Sequence, residues 1–450
     1  MYHTAMLFQR YGTFTGGIDL PDEKQATLDL PIAPIARPER LRVSLSPCGG
    51  QAGEVLVEAG QRVQAGQRLA RAASPSGVDV FAPLSGRVAS TVTVKIAFGD
   101  EFAAVPAVEL DRLSDPPNVE VLPRQEGDFR DLSSQELRER LAEGHLVMGR
   151  RPPCSLSGWI ERARRHDCHT LIANVMENQP MVTADHRLLV EHGEDVVRGL
   201  AILGRAVEAR ELVLAVDQRR VSQYRRLLSA SRQHDVSRIA LSHKYPTGAD
   251  AILVKILTRR ETPPGQSTLA VRAGVVDAAT CLAACHWVLG GRRQLGRVLT
   301  LSGPGIRRPG NYYVPFGAPC FELAEGWTKT LVHGGPMTGL LTPQEAVVSP
   351  ATEALLALDT PVGAVPRPCI RCGWCTDHCP ARLNVAQLND EYELNLVNSA
   401  RKAGVMACVE CGICSYVCPA GLPLTSRVKQ LKRTIRLIRS RLPLLAGMVS

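Results

Sequence analysis

The stretch "CIRCGWCTDHCP" (369–380) decides the fold of the C-terminal part of this chain, because it places four cysteines within eleven residues. A near-copy, "CVECGICSYVCP", follows at 408–419. Both read C-x2-C-x2-C-x3-C-P, a spacing in which three cysteines of one motif and the fourth of the other hold each 4Fe-4S cube. Zinc prefers two separated pairs of ligands, and disulfide frameworks are typical of small secreted domains. The spacing therefore predicts two 4Fe-4S clusters.

The eight motif cysteines divide into two predicted ligand sets. We expect one set to be Cys369, Cys372, Cys375 and Cys418, and the other to be Cys408, Cys411, Cys414 and Cys379. Gly373 and Gly412 are expected to relieve crowding where the backbone passes each cluster. The insert at 381–407 spaces its apolar residues as a helix does. A helical two-cluster ferredoxin-like domain is therefore predicted over 345–425.

The rest of the composition indicates a multidomain α/β and α+β protein of the cytoplasm. The 450 residues exceed what one core ordinarily holds, and 45% of them are apolar. No apolar run approaches the roughly 18 residues that a membrane span needs. The first residues lack the pattern of a secretory signal, and eight of the fourteen cysteines lie in the two motifs, which fits a reducing compartment. No feature indicates nucleic-acid binding.

The formal net charge is +9, and part of the basic excess lies in the last residues. The segment 426–450 interleaves Lys and Arg with apolar residues and predicts a basic amphipathic tail. Such a helix suits an anionic membrane surface or an acidic partner. A solvated terminal helix is an equally good reading of the same pattern.

The N-terminal part reads as a segment at 1–40 followed by a small β domain at 41–110. Short apolar stretches alternate there with glycine turns, as at Gly60, Gly66 and Gly86. The pattern resembles the barrel-sandwich hybrid of biotinyl and lipoyl domains. No lysine lies between Lys24 and Lys95, so the domain has no attachment site for a swinging cofactor.

Alternating helix and strand patterns over 125–262 predict a Rossmann-like α/β domain with a mostly parallel sheet. Its strands end near Asn174 and Asp217, and the carboxyl ends of such strands are where these sheets bind ligands. The next segment, 266–340, reads as strand, helix and hairpin. It predicts a β-grasp domain of the SLBB type.

The module order and several short stretches resemble one family. These stretches are "FTGGIDLPDEK" (14–24), "APLSGRV" (82–88), "TADHRL" (183–188), "YPTGAD" (245–250), "LSGPGI" (301–306) and "GGPMTG" (334–339). With the tandem cysteine motifs they resemble the C subunit of the Rnf electron-transport complex over nearly the whole chain. A more distant similarity links the chain to the cobalamin reductase of propanediol-utilising microcompartments and to the flavin-binding subunit of respiratory complex I.

The resemblance implies an oxidoreductase subunit that relays single electrons. In that family electrons pass from NADH through FMN to the clusters, and integral-membrane subunits of an Rnf-like or Nqr-like complex couple the flow to ion pumping. NADH or ferredoxin would be the redox partner, and the protein would lie on the inner face of the cell membrane. The resemblance also places a flavin site near Asn174, Glu177 and Asp185.

One loop departs from the family pattern. Where the family has G-x-G-G-A-G-F-P-T, this chain reads "LVMGRRPPCSLSGW" (146–159), with two prolines that have no amide hydrogen to donate. In the second flavin element, "NVMENQP" (174–180), two small residues are replaced by Val175 and Met176. The altered loop argues against ordinary FMN and NADH binding. Three hypotheses stay open: an NADH-side subunit, a docking and electron-relay subunit that has lost the flavin, and a soluble flavoprotein like the cobalamin reductase.

Overall fold

The computed structural model describes residues 9–10, 13–74, 77–114, 128–150, 152–224, 227–325, 329–359 and 365–446, with backbone alone for 9, 10 and 440–446. The ends of the predicted terminal segments, 1–8 and 447–450, lie outside these residues. The chain divides into two units. One contains Met1–Arg10, Pro21–Leu241 and Arg272–Pro361, and the other contains Tyr11–Leu20, Ser242–Val271 and Val362–Ser450.

The strands of the described residues are, in chain order, β1 (Gln9–Arg10), β2 (Ile32–Pro34), β3 (Leu41–Ser44), β4 (Glu54–Val55), β5 (Arg62–Val63), β6 (Arg68–Arg71), β7 (Val80–Phe81), β8 (Gly86–Phe98), β9 (Glu101–Asp111), β10 (Val147–Met148), β11 (Cys154–Ser155), β12 (Thr170–Val175), β13 (Glu211–Asp217), β14 (Val236–Leu241), β15 (Ala273–Asp277), β16 (Gly296–Ser302), β17 (Gly310–Pro315), β18 (Thr330–His333), β19 (Leu340–Leu341) and β20 (Ala354–Leu358).

The helices are α1 (Ser134–Glu143), α2 (Leu156–Arg165), α3 (Ala184–Val207), α4 (Leu227–Gln233), α5 (Asp250–Thr258), α6 (Ala278–Gly290), α7 (Cys320–Leu323), α8 (Trp374–Asp377), α9 (Val385–Glu393), α10 (Val397–Lys402), α11 (Ile413–Tyr416) and α12 (Leu424–Ala446). Several of these helices begin at residues whose side chains cap them. Ser133 and Glu136 form a reciprocal capping box at the start of α1, and Asp277 caps α6.

The first unit contains a five-stranded parallel sheet in the order β1-β14-β13-β12-β15. β12 is buried along its whole length, as a central strand covered on both faces should be. The carboxyl ends of β12, β13 and β15 bring Asn174, Asp217 and Asp277 to one edge of the sheet. The predicted parallel sheet, with Asn174 and Asp217 at its strand ends, is confirmed.

The strand and helix at 273–290 belong to this same sheet layer. β15 pairs in parallel with β12, and α6 packs against α3 and β12. Their sequence-based assignment to a β-grasp domain starting at 266 was wrong. A short apolar strand followed by an apolar helix fits either domain, and only the pairing with β12 decides between them.

A six-stranded mixed sheet follows, in the order β19-β18-β20-β16-β17-β2. β16 and β20 are parallel, β17 runs antiparallel to β16, and β18 runs antiparallel to β20. The N-terminal segment contributes β2, which pairs in parallel with β17. The segment predicted at 1–40 is therefore built into the sheet.

The domain predicted at 41–110 contains a four-stranded sheet, β3-β9-β8-β5, and a three-stranded sheet, β4-β6-β7. Leu41 and Leu110 of the first sheet and Leu69 of the second are fully buried in one core. Two small sheets that enclose a shared core are the expected barrel-sandwich arrangement.

The second unit is helical around the cysteine motifs. α9 and α12 pack on one another, and their apolar faces meet around Leu388, Leu431 and Ile435. Burying each such side chain contributes roughly 1.5–3 kcal/mol. The predicted helical insert is confirmed. Of the predicted basic tail, Val428, Leu431 and Ile435 are buried in this core, whereas Leu437 and Ile438 are exposed. Among the described residues, no helix has the length and apolarity to cross a membrane.

Candidate iron–sulfur centres and the altered flavin loop

The two cysteine motifs form loops of the same shape, each followed by a short helix. Gly373 precedes α8 with φ +82°, and Gly412 precedes α11 with φ +87°. A Cβ on Gly373 would meet no atom nearer than Asp377 Oδ2 at 3.9 Å. The left-handed backbone at Gly373 favours glycine in its own right, and the expected relief of crowding against a cluster stays a prediction.

The thiols of the second motif have the last cysteine of the first motif as a neighbour. Burial raises the pKa of Cys411, and the adjacent thiols of Cys408, Cys414 and Cys379 raise it further. Burial also raises the pKa of Cys414, and Cys379 adds to this effect. Three cysteines of one motif and the fourth of the other thus face one another.

These four thiols line one cavity. It has about 400 Å³ of open space, and its wall contains Cys379, Cys408, Cys411 and Cys414 together with apolar side chains of α9 and α12. Within the described part of the chain, no three His, Cys, Asp or Glu side chains lie close enough to hold a single ion. An iron–sulfur cube occupies the space between its ligands, and here four thiols from the two motifs line one such space.

The other predicted set is more open to solvent. Cys418 raises the pKa of Cys375, although burial is the larger cause. Cys372 is exposed, and the apolar side chains of Ile370 and Trp374 beside it are 66% and 54% exposed. No disulfide bond joins any of the fourteen cysteines.

Backbone and side-chain donors already point at several sulfurs. The Leu383 amide donates to Cys379 Sγ at 3.5 Å, and the Glu410 amide donates to Cys408 Sγ at 3.3 Å. Thr425 Oγ1 lies 3.3 Å from Cys414 Sγ. Such donors stabilise thiolates and so set the electronic properties of a bound cluster.

A buried lysine from α12 reaches the second motif. Lys432 Nζ donates to the carbonyl oxygen of Cys408 at 2.7 Å and pairs with the Glu410 carboxylate. Its side chain is only 5% exposed. It therefore places a positive charge beside the cavity.

Two segments that are far from the motifs in sequence, residues 14–18 and 244–247, contact both cysteine loops. We call these two segments the strap. The Gly17 amide donates to His378 O at 2.9 Å, and a bridge joins Ile18 to Tyr245. Tyr245 Oη donates to Cys411 O at 2.6 Å. The sequence showed these stretches only as family-like motifs, and nothing local in them indicates contact with the cysteines.

Of the three residues expected at a flavin site, Asn174 and Glu177 have side chains that are engaged by the protein itself. Asn174 is buried, and its Oδ1 accepts a hydrogen bond from the Met176 amide at 3.1 Å. The Glu177 carboxylate accepts from the amides of Asp185 and His186 at 3.0 and 3.2 Å, at the start of α3. The structure brings these residues together, but it uses them to cap a helix and close a turn.

Buried carboxylates crowd this edge of the sheet, and Lys24 offsets only part of their negative charge. Burial raises the pKa of Glu177 against the opposing effect of Lys24, and burial raises that of Asp185 well above its ordinary value, with Asp277 and Glu177 adding to the shift. Lys24 is buried and donates to the carbonyl oxygen of Glu177. The N-terminal segment thus closes over the strand ends.

Within the described residues of the altered loop, Gly149 leaves no open space for a phosphate. A Cβ on Gly149 would lie 2.2 Å from Pro350 O and 2.7 Å from Arg297 Nη1, so the chain itself fills the space that this glycine leaves. Val175 and Met176 are buried. Arg151 lies outside the described residues. The residues present do not fit the phosphate of FMN in the manner of a glycine-rich loop, so no step of the relay proposed for this chain uses a flavin.

Family models match three parts of the chain. A model described as the RnfC barrel sandwich hybrid domain matches residues 12–112, and one described as the Nuo51 FMN-binding domain matches 157–286. A 4Fe-4S dicluster domain model matches 362–419. The second match reaches into α6, in agreement with the placement of that helix in the parallel-sheet layer.

Two relatives and one solved structure are similar to the chain. It is 32% identical over 441 residues to the C subunit of the ion-translocating oxidoreductase complex of Rhodobacter capsulatus, with 93% of this chain and 83% of that protein covered. It is 30% identical over 400 residues to the protein of the same name from Edwardsiella ictaluri, with 85% of this chain covered, but it spans only 49% of that relative's length. A chain of an NAD+-reducing [NiFe]-hydrogenase in the H2-reduced state is 18% identical, with a TM-score of 0.47 and 67% of this chain and 61% of that chain covered.

The similarity to the Rhodobacter capsulatus protein extends over nearly the whole of this chain and most of the relative, so the chain belongs to the family of C subunits of ion-translocating oxidoreductase complexes.

Proposed function

We propose that this chain is the iron–sulfur electron-transfer subunit of an Rnf-like membrane-associated oxidoreductase complex. The observation that supports this most directly is the cavity lined by Cys379, Cys408, Cys411 and Cys414, which unites ligands from both motifs. A 4Fe-4S cluster accepts and donates one electron at a time. Two such clusters side by side relay single electrons.

The ligand sets are those that the spacing predicts. Cys408, Cys411, Cys414 and Cys379 hold one cluster, and Cys369, Cys372, Cys375 and Cys418 hold the other. Support comes from the effect of Cys379 on Cys411 and of Cys418 on Cys375. Burial raises the pKa of Cys408 to about 12, so assembly at this site must release protons from the thiols.

The chain's own residues fix and tune the centres. The amides of Leu383 and Glu410 donate to ligand sulfurs, and Lys432 contributes a positive charge. The strap holds the two loops through Gly17 and Tyr245. These groups stay in place during transfer, so little reorganisation accompanies each electron.

The six-stranded sheet keeps an SLBB-like β-grasp plan. Counting from β16, its strands lie in the order second, first, fifth, third and fourth, with the two central strands parallel. The five-stranded sheet is the Rossmann-like layer. On this assignment the β-grasp domain begins at Gly296.

The partners are integral-membrane subunits of the same complex, and the chain sits peripherally on the inner face of the cell membrane. The relatives are named as C subunits of an ion-translocating oxidoreductase complex, and these names support the assembly. The redox partner is NADH or ferredoxin, reached directly or through another protein of the complex.

A second candidate is a subunit that oxidises NADH with its own FMN and passes the electrons to the clusters. The space at Gly149 is filled by Pro350 and Arg297, and the Glu177 carboxylate caps α3. These contacts favour a relay that receives electrons from another flavoprotein over a subunit that oxidises NADH with its own FMN.

The test is cluster analysis of the anaerobically purified protein. It should contain about eight iron atoms per chain, as two 4Fe-4S clusters require. Cys379→Ser and Cys411→Ser should remove the same electron paramagnetic resonance signal, while Cys418→Ser and Cys372→Ser should remove the other. Cys320→Ser, a buried cysteine outside the motifs, is the control. Stoichiometric zinc in place of iron would overturn the proposal.

The visible spectrum separates the two candidates. Iron–sulfur absorption that only dithionite bleaches supports the relay. Flavin bands that NADH bleaches would show that the altered loop still binds FMN.

A further inference from the structure

A cleft in the first unit has no part in the proposed electron relay. It lies among the barrel-sandwich domain, the end of α1 and the segment after α6, and it has about 580 Å³ of open space. Its walls are mainly apolar and include Phe81 and Phe316.

Two polar atoms among the lining residues have no hydrogen-bond partner. Arg293 Nη1 and Ser349 Oγ are both buried, and neither has a partner among the described residues. Ser349 is only 3% exposed. Leaving a buried donor unsatisfied costs about 1–3 kcal/mol, so both atoms favour a ligand that accepts hydrogen bonds.

The Arg293 guanidinium is held by aromatic rings. Its Cζ lies 3.9 Å from the centroid of Phe81 and 4.9 Å from that of Trp287. Burial lowers the pKa of Arg293, with Arg68 adding to the effect. The cation is therefore positioned before any ligand arrives and is partly stripped of water.

The remaining polar groups of the cleft satisfy one another. Asp79 Oδ2 pairs with Arg68 Nε at 2.8 Å, and the Asp79 amide donates to His145 Nδ1 at 3.1 Å. Gln294 exchanges hydrogen bonds with the backbone of Val147. Asp79 also lines the cleft, but its ion pair with Arg68 compensates its charge.

We infer that this cleft binds a small aromatic carboxylate, whose ring packs between the apolar walls and whose carboxylate accepts hydrogen bonds from Arg293 and Ser349. Pro350, whose carbonyl oxygen fills the space at Gly149, also lines the cleft. The ligand site and the altered loop therefore share a wall.

The test is isothermal titration of the full, cluster-loaded protein with benzoate and with its neutral isostere benzamide. Benzoate should bind saturably and at least about tenfold more tightly than benzamide, since a hydrogen bond to a charged group contributes about 1.5–3 kcal/mol. Arg293→Gln should weaken benzoate binding about tenfold or more, and Ser349→Ala should weaken it about threefold or more. The exposed neighbour variant Arg292→Gln should bind as the parent does.

Iron content and circular dichroism of each variant show whether it has folded. If Arg293→Gln does not fold, the inference is tested by Ser349→Ala and by the comparison of benzoate with benzamide. The inference is overturned by the absence of saturable benzoate binding, by equal affinity for benzamide, or by undiminished binding in folded Arg293→Gln or Ser349→Ala.

Discussion

Tyr245 Oη donates a 2.6 Å hydrogen bond to the carbonyl oxygen of Cys411, although 166 positions separate the two residues in the chain. Tyr245 is 3% exposed, and the backbone bridge to Ile18 fixes its position. One hydroxyl thus ties the strap to a proposed cluster ligand.

Replacing Tyr245 by Phe removes this hydroxyl and little else. We expect iron content to stay near that of the parent, because a neutral hydrogen bond contributes only about 0.5–1.5 kcal/mol. The midpoint potential of one cluster should become more negative, since the hydroxyl dipole stabilises added negative charge. Redox titration followed by electron paramagnetic resonance measures the shift.

The control is Tyr416→Phe, which removes a hydroxyl from a tyrosine that belongs to the second motif but is 58% exposed. Equal shifts in the two variants, or a shift of both clusters in Tyr245→Phe, would contradict a specific role for the bond to Cys411.

Gly16→Ala tests the close approach of the strap to the first motif. A Cβ at this position would lie 2.6 Å from Cys379 O, and the residue has φ +72°. We expect the variant to lose iron, because the strap must move away from the ligand loop. Iron and sulfide analysis after anaerobic reconstitution measures the loss.

Gly60→Ala is the control that distinguishes a steric clash of the added Cβ from the strain of placing alanine in a left-handed backbone. Gly60 has φ +87°, but its added Cβ would meet nothing within 4 Å. This variant should show only the cost of a left-handed alanine, about 1–2 kcal/mol, and should keep its iron. Iron loss in both variants alike would argue against the contact with Cys379.

The cluster motifs could be predicted because their information is local. The spacing of Cys369, Cys372, Cys375 and Cys379 specifies both the ligand type and the tight loop. The helical insert followed from its apolar period in the same way. The contacts of Gly16 and Tyr245 could not be predicted, because they depend on how residues far apart in the chain meet.

The domain limits were harder to predict for a related reason. The apolar strand β15 and the apolar helix α6 suit a β-grasp domain as well as a parallel sheet until β15 is seen beside β12. The basic period of α12 was visible, but the burial of Leu431 against α9 was not. Side-chain pattern specifies the element, and tertiary pairing specifies where it belongs.

Replacing Lys432 by Met should lower the midpoint potential of one cluster only. The lysine charge lies beside Cys408 and Glu410, and its removal leaves the Glu410 carboxylate without this partner. The loss of the positive charge and the remaining negative charge of Glu410 both make reduction of the cluster less favourable. The measurement is the same redox titration, with iron content as the check on folding.

Lys402→Met serves as the matched control, because Lys402 is exposed on α10 and also lies in the second unit. It should leave both potentials unchanged. A parent-like potential in fully loaded Lys432→Met would show that this lysine has a structural role alone.

His186 should make the protein less stable as the pH falls. Its Nδ1 lies 2.6 Å from Tyr224 Oη, and burial, with Arg220, Arg187 and Lys24 adding to the effect, lowers its pKa to about 3, while Asp217 opposes the shift. The folded chain therefore keeps His186 neutral, whereas the unfolded chain takes up its proton near the ordinary pKa of 6.5. Stability from this residue is present above about pH 6.5 and is lost progressively down to about pH 3.

At about pH 5 the loss from His186 amounts to about 2 kcal/mol, at 1.36 kcal/mol per pH unit. His186→Gln retains a hydrogen-bonding group but does not titrate, so the thermal midpoint should drop less between about pH 7 and about pH 5 than it does in the parent. Replacing the exposed His166 by Gln should leave the drop unchanged. A drop in His186→Gln as large as in the parent would mean that other groups, such as His145 and His234, whose pKa values burial also lowers, dominate the acid response.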